Sequence, residues 1–224
     1  DFYQRATSFP LIERKTISDN DALNQLFGAQ DVILEIAVLQ APNMRLELMA
    51  FARNKGKSTA NMPFNGPGMT HTCYQSPGSD PAYNKFKTAG ADILSRGDSA
   101  VDIGGYGVTY AYGYDPEGNM FEMEQLSNEV LKRAGYDPQY SQQPHDMWMS
   151  QVAIASPDID NIMTFYQTVL GFKPYRLGEY QGNDKMDDIV DFDKLHLKGG
   201  WFKMDDKSKV MEFWQFKNPQ TPPT

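Results

Sequence analysis

One short plan recurs three times along this chain, and that repetition constrains the fold more than any local propensity. LELMAF at 46–51, FEMEQL at 121–126 and MEFWQF at 211–216 each place a glutamate second in a short, largely apolar run. Each run closes a segment of similar design. The middle segment is the clearest. Residues 68–75 read as a strand. Asp80 to Ala89 read as a short helix, with Asp80 as N-cap, Pro81 at the first helical position and Gly90 as the stop. Strands are expected near 91–96 and 107–114, and period-2 alternation puts Val108, Tyr110, Tyr112 and Tyr114 on one face of the second. Asp115-Pro116-Glu117-Gly118-Asn119 is a turn, because proline presets φ and glycine supplies positive φ. The strand 120–126 follows it. His71 and Glu122, both capable of binding a metal, stand at the two ends of this compact βαβββ unit.

The third segment runs from about 147 to 217. MWMSQVAIAS reads as its first strand, and Ser156-Pro157-Asp158 starts a helix that Ser156 can cap. Ile159, Ile162, Phe165 and Tyr166 recur at helical spacing, and Gly171 stops the helix. Strands near 173–180, 193–203 and 209–216 complete it. The first segment, 1–53, reads as the same unit without its opening strand: Phe2-Tyr3 match the helix tail, and strands near 9–18, 32–40 and 44–51 follow. Residues 53–67 are polar and rich in Gly and Pro, a linker or lid, and 127–146 hold a short helix and a polar connection.

The whole is an α+β chain of tandem βαβββ modules. With 224 residues and 40% hydrophobic content it can bury a substantial core. A net charge of −8 argues against sequence-blind nucleic-acid binding, which needs clustered Lys and Arg. Cys73 is the single cysteine, so no intrachain disulfide forms. No apolar run approaches a membrane span and no signal-peptide pattern opens the sequence, so a cytoplasmic location with no membrane partner is expected. The first residue reads as mid-domain sequence, and an additional N-terminal strand or leader fits that reading.

The order of strand with His71, helix, Ala89-Gly90, strands, D-P-E-G-N turn and strand with Glu122 resembles the vicinal oxygen chelate superfamily, which contains the glyoxalase I, bleomycin-resistance and extradiol dioxygenase families. FYQTVLGFKPY at 165–175 resembles the "FY…LGF" signature of the leading half of such domains. The resemblance implies curved mixed sheets that pair into a cup. It also implies a divalent metal (Zn, Fe, Mn, Ni or Co) held by side chains on the first and last strands of each module.

By position, the resemblance gives Glu47, His71 and Glu122 as metal ligands, with Glu47 or Glu122 doubling as proton shuttle. Gln151 and Glu212 hold the same positions in the third module as a lesser second site, since neutral glutamine is a poor ligand beside histidine. Taken alone, a strand glutamate is usually solvated or ion-paired, and a lone strand histidine is usually a satisfied polar residue. His145, in a loop, and His196, near Asp193, are read as surface or packing residues. Tyr110, Tyr112 and Cys73 are candidate ligand-lining residues, though core packing is the default for the tyrosines and inert burial for the cysteine.

Two functions follow from the resemblance. One is a glyoxalase- or dioxygenase-like lyase, isomerase or dioxygenase acting on a small substrate with vicinal oxygens. The other is a metal-free small-molecule-binding protein of the bleomycin-resistance type. Three modules are an odd number. The expected pairing joins the first (1–53, incomplete) and second (66–126) into one domain, 1–126. The third, 147–224, is then left to pair across a homodimer, with Trp148, Trp201 and Trp214 in its core.

Overall fold

The protein is described by a computed structural model covering residues 1–53, 61–134, 147–205 and 209–223. The first module holds α1 (Phe2–Thr7), β1 (Leu11–Ile17), α2 (Asp21–Phe27), β2 (Leu34–Gln40) and β3 (Arg45–Phe51). The second holds β4 (Gly68–Pro77), α3 (Ala82–Ala89), β5 (Asp92–Ile93), β6 (Val101–Asp102), β7 (Val108–Tyr114) and β8 (Met120–Leu126). After α4 (Asn128–Ala134), the third holds β9 (Trp148–Ala155), α5 (Ile159–Leu170), β10 (Arg176–Gln181), α6 (Asp184–Val190), β11 (His196–Lys203) and β12 (Val210–Asn218).

The alternation in FEMEQL explains how one strand serves two faces. Phe121 and Met123 enter an apolar cluster with Tyr74, Phe86 and Phe2 on the helix side of the sheet. Met120 packs on the opposite face with Tyr112, Tyr114, Trp201 and Trp214. Glu122 and Glu124, in step with Met120, line a cavity on that second face. The turn before β8 is tied by the Asp115 carboxylate, which accepts from the backbone N–H groups of Glu117 and Asn119 at 2.9 Å each. Gly118 takes φ +85° there. The same carboxylate accepts from Tyr3 Oη at 2.8 Å, which fastens α1 to the second module, and α1 packs along α3.

Strand pairing departs from expectation. The second and third modules share one nine-stranded sheet, ordered β10-β11-β12-β9-β4-β8-β7-β5 with β6 beside β7. The seam is β4 against β9, antiparallel, from Gly68 opposite Ala155 to Gln75 opposite Trp148. Each seam strand is flanked by the last strand of its own module, in parallel: β8 beside β4 and β12 beside β9. The first module forms a separate sheet, β1-β2-β3. It therefore does not complete a sheet with the second module, and the third is not left unpaired. The homodimer argument rested on that unpaired third module and loses its basis.

Helix starts also differ. Ser76, not Asp80, supplies the cap of α3, its Oγ accepting from Ala82 N–H at 2.9 Å. Asp80 instead pairs with Lys85. Asp158, not Ser156, caps α5, accepting from Asn161 N–H at 3.0 Å. The glycine stops Gly90 and Gly171 are both left-handed, at φ +99° and +76°. His145 lies outside the described residues.

Phe121 is fully buried, its ring 4.4 Å from that of Phe86 and within 6.3 Å of those of Phe2 and Tyr74. Truncation there removes the contact point of three elements. Phe121→Ala is expected to lower unfolding free energy by about 3–5 kcal/mol in urea denaturation, whereas Leu26→Ala, on an exposed face of α2, should change it little.

Candidate active site

The β4–β9 seam brings together side chains from four strands. His71 is on β4, Glu122 on β8, Gln151 on β9 and Glu212 on β12, all buried. The two halves repeat one register: Cys73 lies opposite Glu122, and Ala153 lies opposite Glu212. In each half the residue facing the glutamate stands two places after the histidine or glutamine. Two modules related in this way across an antiparallel seam point all four side chains at one spot. His71 Nε2 is 3.2 Å from Glu212 Oε2 and 3.5 Å from Glu122 Oε2. Gln151 donates from Nε2 to Glu122 Oε2 at 2.8 Å. Trp201 donates from its indole N–H to Glu212 Oε1 at 2.6 Å.

One donor atom from each of His71, Glu122 and Glu212 lies within 4.8 Å of the others. Donors bonded at about 2.1 Å to one ion stand roughly 3–4 Å apart, so the separations suit a metal with little rearrangement. Among the described residues neither glutamate pairs with Lys or Arg, and His71 is the basic group that pairs with both. Two buried carboxylates against one imidazole leave negative charge in excess, the electrostatic setting a divalent cation would balance. Gln151 adds a neutral amide beside them.

Above this floor is a cavity of about 460 Å³. Tyr110 and Tyr112 line it from the second module, and Tyr180, Trp201 and Trp214 from the third. The tyrosine row thus does both of the things weighed for it: Tyr110 and Tyr112 face the cavity, and Tyr114 donates from its hydroxyl to Met62 O at 3.0 Å. Trp201 and Trp214 are cavity walls rather than the core of a dimer, and Trp148 is buried against Leu126. Cys73 is fully buried beneath the lining. Burial, with Glu124 and Glu122 nearby, pushes its thiol well above the ordinary range, which keeps it protonated and unreactive. Glu47 does not join the site. It is exposed on β3, in the separate sheet. Gln151 and Glu212, the pair given less weight from sequence, complete the cluster in its place. Their signal was their matching position in the repeat; what was missing was which modules meet. His196 pairs with Glu179 at 2.7 Å on an exposed strand.

No family profile and no curated protein matches the chain. Solved structures do. A point variant of glyoxalase I from Zea mays superposes with a TM-score of 0.58 at 15% identity, covering 96% of this chain and 65% of that one. Glyoxalase I from Zea mays itself gives 0.57 at 18%, over 96% and 61%. The fold is the glyoxalase-type βαβββ fold that these structures share. This chain spans less than two thirds of the length of the maize structures. A variant of 4-hydroxymandelate synthase from Streptomyces coelicolor is a looser likeness, with a TM-score of 0.46 at 11% identity. Among the described residues no helix is long and apolar enough to cross a membrane.

Charge coupling at the floor of the cavity is strong. Burial lowers the pKa of His71, but hydrogen bonds donated to Glu122 and Glu212, with the charges of those carboxylates, outweigh it and raise it from 6.5 to about 9. The Glu124 carboxyl is pushed up by burial and by Glu122. A histidine whose folded pKa is raised contributes stability that is complete below its unfolded value and is lost as pH rises through the folded one. In protein stripped of divalent ions, unfolding free energy should therefore fall by on the order of 3 kcal/mol between pH 6.5 and 9. The fall should vanish in His71→Gln. A His71 imidazole titrating at or below its ordinary pKa by NMR would contradict the arrangement.

Proposed function

We propose that this protein is a divalent-metal-dependent enzyme of the glyoxalase or dioxygenase type, acting on a small substrate with two neighbouring oxygens. The observation that carries the reading is the meeting of His71, Glu122, Gln151 and Glu212 at the floor of an aromatic cavity. A nitrogen donor, two carboxylates and an amide oxygen suit Zn, Mn, Ni, Co or Fe(II). A metal bound there supplies Lewis acidity toward adjacent substrate oxygens. That the neighbours include maize glyoxalase I supports the reading at the level of fold.

The chain's own groups divide the remaining work. Glu212 is fixed at both oxygens, by Trp201 at Oε1 and His71 at Oε2, which suits a ligand that holds position. Glu122 is held by the Gln151 amide and by the more distant His71, and a carboxylate with a looser grip is better placed to take a proton from carbon beside a carbonyl and return it. The aromatic walls exclude water and hold an apolar substrate body. Tyr112 lies against His71, ring centroids 4.9 Å apart, and itself lines the cavity.

A second reading has its own observation. His71 already bonds one oxygen of Glu212, and Gln151 one oxygen of Glu122, so both carboxylates have partners without an ion, as a metal-free binding protein of the bleomycin-resistance type requires. Elemental analysis separates the two. After reconstitution with Zn, Mn, Ni, Co or Fe(II), the wild type is expected to retain about one ion per chain. His71→Ala, Glu122→Ala and Glu212→Ala should each lose it, and Glu47→Ala should keep it. Protein that holds no ion under any of these conditions would transfer the assignment to ligand binding.

A further inference from the structure

Two cationic residues line the cavity, Arg176 and Lys203. With 29 Asp and Glu against 21 Lys and Arg, carboxylates are in surplus, and several surface cations use them. Arg96 faces Asp188, Asp191 and Asp193, Lys198 faces Asp160, and Lys85 faces Asp80. Among the described residues no carboxylate pairs with Arg176. Its guanidinium instead stacks on Trp201, 4.5 Å from the ring centroid, and donates to Tyr180 Oη at 2.6 Å. It lines the same cavity whose floor holds Glu122 and Glu212.

The backbone is shaped to hold this stack. Arg176 and Trp201 are direct cross-strand partners on β10 and β11. A Cβ at Gly178 would come within 2.5 Å of Tyr180 Oη, and one at Gly199 within 2.8 Å of the Trp201 ring. Only glycine leaves room for both rings. The result is a guanidinium fixed in orientation on an exposed residue, with most of its five N–H donors not used by Tyr180. An arginine so placed is pre-organised for a planar anion, which can take two parallel hydrogen bonds.

We infer that the cavity takes an aromatic carboxylate: the carboxylate on Arg176, the ring between the tyrosine and tryptophan walls, and the other end toward His71. The acidic floor selects the anion's charge. Glu122 and Glu212 oppose a dianion such as a phosphate monoester more than they oppose a carboxylate, so the carboxylate is the favoured oxyanion. That such a compound is also the substrate rests on the function proposed above. That it binds does not.

The test is calorimetric titration of metal-stripped and metal-loaded protein with 2-naphthoate and with 2-naphthamide, which has the same shape without the charge. Naphthoate is expected to bind at least about tenfold more tightly than the amide, the gain of a charge-assisted hydrogen-bonded pair. Arg176→Gln should erase that preference while leaving amide affinity in place, and Arg176→Lys should keep part of it. Added salt should weaken the acid and spare the amide. Equal binding of acid and amide by the wild type would overturn the inference without recourse to any variant, as would an undiminished preference in Arg176→Gln. A preference for the acid in protein that takes up no metal would uphold this inference and sink the proposed function alone. Metal uptake without the preference would do the reverse.

Discussion

Everything distinctive about this protein depends on one antiparallel contact, β4 against β9. Hydrogen bonding between these two strands joins two modules into a continuous sheet and fixes how their inner faces meet. A slip of one residue in a strand turns every side chain to the opposite face. Had β4 slipped by one residue, His71 would face the helix side of the sheet. The parallel flanking strands extend the constraint outward, since β8 pairs with β4 and β12 with β9. The electrostatics of the floor are a product of this geometry: two carboxylates and an imidazole become neighbours because their strands do.

Much of the local architecture was legible in the sequence. Alternation in FEMEQL, the D-P-E-G-N turn and the glycine stops at Gly90 and Gly171 act through nearest neighbours, and all took their expected form. Short helices were harder. α2 and α6 are seven residues each, too brief for the 3.6 period to declare itself. Caps were misplaced by a few residues because Ser76, Asp80, Ser156 and Asp158 are all competent acceptors, and the fold decides which one meets a free N–H. Module pairing was not legible at all. The edge of a strand exposes the same backbone groups to any partner, so the choice between neighbours is made by packing at long range. That error carried Glu47 into the ligand set and left Glu212 at its margin, although the repeat had put both glutamates in equivalent positions.

The two halves of the cup have diverged in content while keeping one frame. The second module contributes the imidazole and two tyrosines. The third contributes a neutral amide, two tryptophans and an arginine. A pair of identical modules would offer a symmetric cavity with two-fold related ligands. Divergence gives the cavity a polar end and a cationic end, and so a direction along which an elongated molecule would lie.

No single module contains the polar cluster. His71 and Glu122 come from one and Gln151 and Glu212 from the other, and the hydrogen bonds of the floor run between them. Whatever occupies that floor therefore acts as a rivet across the seam. Its binding energy is felt by neither module alone but by their union, so occupancy would convert two units able to open separately into one that opens as a whole.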